Sequence, residues 1–246
     1  ETLIDELAAK LAMDPIEFRM LNAAKDGTRR ITGIPYKKVG YVETLQVAKD
    51  HPHYSAPLGG PNRGRGIATA VCNNITGPAN AVVSMQADGS VGLLEGSSDL
   101  AGSRTAAAMH VAEVLGIAAE DVHPSVGDTD SIGYTAISAG SSAVYKTGWA
   151  SFESARDLQR QLADRAALIW DVPVEEVDVN NDVFTHRSNT ELRLTLKEIA
   201  ARQNATGGPL VGRAGGVWGR ESPGFAVHIV DVKVDPETGK IDIIRY

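Results

Sequence analysis

The apolar positions of this chain change period several times, and each change predicts an element. Leu3, Ile4, Leu7, Ala8 and Leu11 recur at helical spacing, so the chain opens with a helix. Asp14-Pro15 then reads as a capping residue with proline at the first helical position, ahead of IEFRMLNA. From residue 65 the pattern becomes extended. Residues 67–71 and 81–86 read as strands, and Asp88-Gly89 as the turn into a third at 90–95. An alanine-rich run over 104–115, stopped by Gly116, predicts a helix, and 122–126 a short strand. The run 143–170 carries Ala150, Ala155, Leu158, Leu162, Ala166 and Ile169 on one helical stripe until Val172-Pro173 breaks it. A small hairpin is expected about Asn180-Asn181. A helix follows from Thr195 through Arg202, with Glu198 at the capping-box position. Ala226, His228, Val230, Val232 and Val234 then share one register of an alternating strand, and Pro236-Glu237-Thr238-Gly239 turns it into residues 241–246. The sum is an α+β fold of mixed β-sheets flanked by helices.

Residues 24–62 interrupt this pattern. Gly27, Gly33, Gly40, Pro52, Pro57, Gly59, Gly60 and Pro61 are linker chemistry, with room for one short helix at 41–50; His51 and His53 fall in this Pro-rich stretch. At 246 residues the chain can bury a sizeable core. Its net charge of −7, with no basic patch to offset it, argues against a nucleic-acid partner. No apolar run reaches the length of a membrane span, and no signal peptide heads the chain. The single Cys72 excludes a disulfide frame or a cysteine-ligated iron–sulfur cluster within this segment. The histidines lack the spacing of a zinc site, and no direct protein ligand to a metal is expected.

Chemistry concentrates between Gly96 and Gly148. Ala101-Gly102-Ser103 leads into the run 104–115, and Ala139-Gly140-Ser141-Ser142 leads into 143–170. Small residues let a backbone approach a ligand closely. A helix N-terminus adds unpaired N–H groups and a partial positive charge. Two such loops can grip a large anionic ligand from both sides; taken singly, each also reads as an ordinary helix cap.

The segments ELAAKLAMDPIEFRMLNA (6–23), RGRGIATA (63–70), ADGSVGLLEGSSDL (87–100), AGSRTAAAMHVAEVLGI (101–117), VGDTDSIG (126–133), SAGSSAVYKTG (138–148) and AVHIVDVKVDPETGKIDIIRY (226–246) follow one another in a telling order. In that order the chain resembles the molybdenum-binding large subunit of the xanthine dehydrogenase and aldehyde oxidase family over nearly all its length. The resemblance implies a molybdopterin cofactor carrying molybdenum, in its cytosine dinucleotide form for a bacterial source. It implies cofactor contacts at Ala101, Gly102 and Ser103, and at Ser138, Ala139, Gly140, Ser141 and Ser142. Cys72, Asn73 and Asn74 lie where the family's chain nears the substrate pocket. Residues 1–58 would be the last helix and linker of the first molybdenum-binding domain, and 59–246 the N-terminal part of the second. The implied partners are the remainder of the large subunit, iron–sulfur and flavin subunits or domains, and a small substrate such as an aldehyde or N-heterocycle. The implied location is cytoplasmic. Much of the family has Gly-Gln-Gly near residues 101–103; this chain is a residue short and lacks the Gln. It resembles instead the Gly-Ser-Arg branch, as in carbon monoxide dehydrogenase large-chain-like proteins.

Because Glu1 is no initiator residue and Tyr246 falls inside a predicted strand, the chain is expected to be a piece of a longer subunit. Without the family's catalytic glutamate it should be inactive alone, and its uncovered edges should promote self-association. The alternatives are a cofactor-free domain packing against partner subunits, or a chaperone-like relative that handles the cofactor. Individually, Arg104 reads equally as a phosphate partner or a surface residue, and Lys146 as solvent-facing. Cys72 reads as a buried structural residue. Asp128-Thr129-Asp130 forms a turn rather than an acid–base pair, and Glu175-Glu176 is an exposed pair. The run 212–220 lacks the ending of a phosphate loop.

Overall fold

The computed structural model describes residues 1–73, 75–218 and 223–246, with backbone alone at Trp218. The chain divides into two compact units, residues 1–74 with 222–246 and residues 75–221.

In the first unit, α1 (Thr2–Lys10), α2 (Pro15–Asn22), α3 (Tyr41–Asp50) and α4 (Pro52–Ser55) accompany a three-stranded antiparallel sheet. Its order is β1 (Arg63–Asn73), β9 (Pro223–Val234), β10 (Ile241–Arg245), labels following the chain. Asp14 starts α2 as its sequence indicates: Oδ1 accepts the N–H groups of Ile16 and Glu17 at 2.8 and 3.0 Å. The apolar core is small, built on Ile16, Leu45, Ala48 and Ile67. Buried Arg19 ties α1 to α2 by ion pairs of 2.8 Å to Glu1 and Asp5. Two expectations need correction. The 24–62 stretch holds a second short helix, α4, and His53 on it is buried, its Nε2 3.2 Å from Asp231. On β9 the alternation has the expected period but the opposite phase: Ala226 and His228 are exposed, and Phe225, Val227, Ile229 and Asp231 turn inward. Phe225 stacks on Tyr41 with ring centroids 4.9 Å apart, and Asp231 is held by Arg65, so the inward face is partly polar. Hydropathy alone therefore misassigns it.

In the second unit a four-stranded sheet runs β4 (Val122–Val126), β3 (Val91–Glu95), β2 (Gly77–Met85), β8 (Val211–Trp218). β2 pairs antiparallel with β3 and β8, while β3 and β4 are parallel and joined through α5 (Ser103–Leu115), so the sheet is mixed. α6 (Thr129–Ile132) follows β4. The long α7 (Ala143–Trp170) packs on the sheet, and residues 146, 150, 154, 158, 162 and 166, one every four, are all buried. Gly212 brings β8 close beneath it: a Cβ there would lie 2.1 Å from the Ser154 carbonyl oxygen. A meander of β5 (Val177–Asn180), β6 (Val183–His186) and β7 (Arg193–Thr195) leads to α8 (Leu196–Ala200), whose Thr195–Glu198 capping box is complete. Val83, Leu93, Leu115, Leu158, Leu162, Phe184, Ile199 and Leu210 centre the core. The whole is the α+β architecture expected. Among the described residues no helix is long and apolar enough to cross a membrane.

Candidate functional site

The two glycine/serine loops meet at one end of the second unit. The first leaves β3 at Glu95 and enters α5. Gly96 packs directly against the second loop: a Cβ there would lie 2.4 Å from Thr135 Oγ1. Two residues on, Ser98 Oγ donates to Ser138 Oγ at 3.2 Å. Each loop makes the same backbone turn before its helix, with Ala101 and Gly102 at φ 53° and 75° and Gly140 and Ser141 at φ 56° and 55°. Alanine and serine pay strain in this left-handed region, so tertiary contacts must hold them there. Asn80 on β2 supplies one: its Nδ2 donates to Tyr134 O at 2.5 Å and its N–H to Thr135 Oγ1 at 3.2 Å. Gly140 O accepts the Ile75 N–H at 2.9 Å. Behind the loops α5 and α7 lie side by side, and Gly148 meets the His110 ring so closely that a Cβ would sit 3.0 Å away. Gln159 further along α7 reaches Val114 O at the far end of α5, so the two helices run in the same direction. Their positive ends converge on the two loops.

The side chains divide into two groups. Ser138 is half-buried, and Ala101, Gly102, Ala139, Gly140 and Ser141 are exposed; a Cβ on Gly102 would meet no described atom within 4 Å. Ser103 and Ser142 point inward instead. Ser103 Oγ donates to Ser98 O at 3.2 Å and Ser142 Oγ to Ala139 O at 2.6 Å, so both hydroxyls brace the loops. Arg104 pairs with Asp99 at 2.9 Å, and the Asp99 carboxylate also accepts the Arg104 N–H. That backbone hydrogen bond, with the guanidinium, holds the Asp99 carboxyl below its usual range. α5 thus carries a paired Arg104 and Asp99 at its N-terminus, with one of its N–H groups occupied by the carboxylate. Glu95 is fully buried, and burial raises its carboxyl; Oε2 accepts the Ser97 N–H at 2.6 Å, and Oε1 has no partner among the described residues.

Two sequence expectations are corrected. Lys146 does not face solvent: it is 1% exposed, and its Nζ donates to Ala136 O and Ile137 O at 2.5 and 2.6 Å. Its place was legible, because the α7 stripe read from Ala150 extends backward by four onto it. Cys72 is exposed rather than buried; it and Asn73 close β1 in the first unit, opposite Gly224 and Pro223. Strand alternation carries Cys72 outward from inward-facing Ile67. Asn74 lies outside the described residues. Asp128 caps α6 by accepting the Ser131 N–H at 2.8 Å, as a turn former should. Glu175 and Glu176 are both exposed, as expected, and Glu176 also bonds His186 Nε2 at 2.8 Å. Among the described residues no three of His, Cys, Asp and Glu cluster to hold a metal. Glu95, Ser98, Asp99 and Asn80 were missed by the sequence reading; their roles depend on partners remote in sequence or on loop geometry.

Small exposed residues thus lie on two adjoining turns ahead of two helices, where backbone N–H groups can receive an anion. The chain belongs to the molybdopterin cofactor-binding domain family, whose model matches residues 42–246. The aldehyde oxidoreductase molybdenum-binding subunit PaoC of Escherichia coli O157:H7 is 31% identical over 52% of this chain and 19% of its own. The xanthine dehydrogenase molybdenum-binding subunit of the same organism is 25% identical over 100% of this chain and 35% of its own. Carbon monoxide dehydrogenase from Oligotropha carboxidovorans superposes with a TM-score of 0.82 at 21% identity, covering 100% of this chain and 35% of that one. Quinoline 2-oxidoreductase from Pseudomonas putida 86 gives 0.78 at 18% identity, covering 99% of this chain and 35% of that one. The chain thus spans about a third of the length of the relatives it matches end to end.

Proposed function

We propose that loops 96–103 and 134–142 hold a molybdopterin cofactor in its cytosine dinucleotide form. The protein to which the chain belongs then oxidises an aldehyde, an N-heterocycle or a related small molecule with oxygen drawn from water. The observation that carries this reading is the joining of the two loops, through Gly96 against Thr135 and Ser98 to Ser138, at the N-termini of two helices running in the same direction. The residues present fit such a group: exposed Ala101, Gly102, Ala139 and Gly140 leave a backbone surface free for close approach. When bound, molybdopterin supplies the metal and the two-electron redox chemistry. The chain's own part is to bind and orient. Ser138 and Ser141 donate hydroxyls to anionic oxygens, while Ser103 and Ser142 keep the turns in shape from beneath. Asp99 already takes the Arg104 N–H of α5, whereas no side chain caps α7, so the α7 end is the freer of the two for an anion.

On the same reading, residues 1–58 end one molybdenum-binding domain and 59–246 begin the next. Iron–sulfur and flavin partners receive the electrons, the substrate passes near Cys72 and Asn73, and the protein works in the cytoplasm. The chain alone is inactive and self-associates through the β10 edge, where Ile241, Ile243 and Tyr246 are 61, 67 and 76% exposed. Light scattering across a tenfold dilution should show mass rising with concentration; a constant monomer mass would contradict the last point. The main test is molybdenum and acid-released cytidine nucleotide per polypeptide in the natively purified protein. Ser138→Ala and Ser141→Ala should each weaken retention about tenfold, as loss of a hydrogen bond to a charged group does, with the melting temperature nearly unchanged. Full molybdenum and nucleotide in both variants would remove the cradle from these loops.

A further inference from the structure

Lys146 is a cation in an unfavourable place. It is 1% exposed in the first turn of α7, the end of the helix that already carries positive charge. Its Nζ meets two carbonyl oxygens, those of Ala136 and Ile137, and no carboxylate among the described residues pairs with it. An ammonium group has three N–H donors, so one remains beyond these two. Burial pushes its proton affinity down. α5 shows the contrast, since its own first-turn cation, Arg104, is paired with Asp99. The two carbonyls belong to the residues just before Ser138, and Ile137 O also accepts the Ala139 N–H at 3.1 Å. The ammonium therefore sits directly behind the exposed turn of the second loop.

We propose that Lys146 is the counter-charge for the anionic part of the ligand held by residues 138–142, acting as a positioning residue beneath the loop. This rests on the reading of that loop as a cofactor cradle, and it adds a residue that binds through charge rather than shape. A buried unpaired cation is unfavourable by itself, and a phosphate-bearing ligand relieves it. Lysine acts here as a point charge.

The test uses the native protein stripped of its cofactor and titrated with inorganic pyrophosphate, followed by calorimetry and melting temperature. The wild type and Lys146→Arg should bind and gain thermal stability. Lys146→Met and Lys146→Gln should bind at least about tenfold more weakly, the effect of losing a charge-assisted contact. Their ligand-free melting temperature should not fall, because the unpaired buried charge has gone. If Lys146→Met binds within about twofold of wild type, the inference is overturned while the cradle reading stands. A lower melting temperature with affinity intact, or failure of both neutral variants to fold, marks a structural clamp and also overturns it. No pyrophosphate effect on the wild type overturns the inference too. The molybdenum and nucleotide content of the native protein then decides whether the cradle reading falls with it.

Discussion

Asp231 shows how one side chain can tie a small unit together. It is 2% exposed, and Arg65 reaches it twice, with Nε at 2.6 Å and Nη2 at 2.9 Å. The hydrogen-bonded Arg65 guanidinium, more than the nearby His53, holds its carboxyl down to about 2 from 3.8. Between those values the unfolded chain binds more protons than the folded one, so stability rises with pH. The contribution is complete above about pH 4 and is lost as pH falls through about 2. Urea midpoints of the first unit should therefore drop between pH 5 and 2. Asp231→Asn should flatten that dependence and be less stable at neutral pH, since Arg65 keeps a half-buried charge without its partner. An unchanged slope would remove Asp231 from the account. Gly140 teaches a different lesson. A Cβ there would lie 2.1 Å from Ile75 Cδ1, and its φ is +56°, so the protein itself demands glycine before any ligand does. Gly140→Ala should lower stability by about 1–3 kcal/mol, and Ile75→Ala in that background should restore part of it. A double-mutant cycle with no coupling above about 0.5 kcal/mol would refute the contact.

Between elements, the contact that leaves least room is that of β8 with α7. At Gly212 a Cβ would meet backbone, the Ser154 carbonyl at 2.1 Å and the Leu158 nitrogen at 2.7 Å, and backbone cannot swing aside like a side-chain tip. Gly212→Ala should lower stability by about 2–3 kcal/mol. Gly66→Ala, on exposed β1 backbone with no described neighbour within 4 Å, should be neutral or gain about 0.5 kcal/mol. Chemical denaturation checks both, and equal effects would deny the close approach. Most elements could be read from the chain because their signals are local: Asp14-Pro15 opening α2, Gly116 closing α5, Asp88-Gly89 turning β2 into β3. The inward phase of β9 could not, because a charged Asp231 occupies the packed face and a stacked Phe225 shares it. Of the site, both loops were legible as small-residue runs before helices. Their joining through Ser98 and Ser138, forty residues apart, was not, and neither was the Asp99 carboxylate at the α5 terminus, which follows from how the loop folds.

At the scale of the molecule the two units are unequal. The first centres on a small cluster of buried apolar residues, Ile16, Leu45, Ala48 and Ile67; the second has a far larger core. Since stability follows buried apolar surface, hydrogen exchange should be fastest in α1 to α4 and β10 and slowest along α7 and β2. Equal protection in the two units would count against this. The chain path adds a consequence. β1 and β9 remain paired to their last described residues, Asn73 opposite Pro223, so the strand that leaves the first unit and the strand that returns to it are neighbours. Topologically the second unit is a guest spliced into the tip of a hairpin. The paired strand ends of the first unit, Asn73 and Pro223, lie one strand spacing apart, about 5 Å, a gap that two residues can bridge. A host lacking its guest, with 74–222 replaced by Asn-Gly, keeps every β1–β9 rung in register.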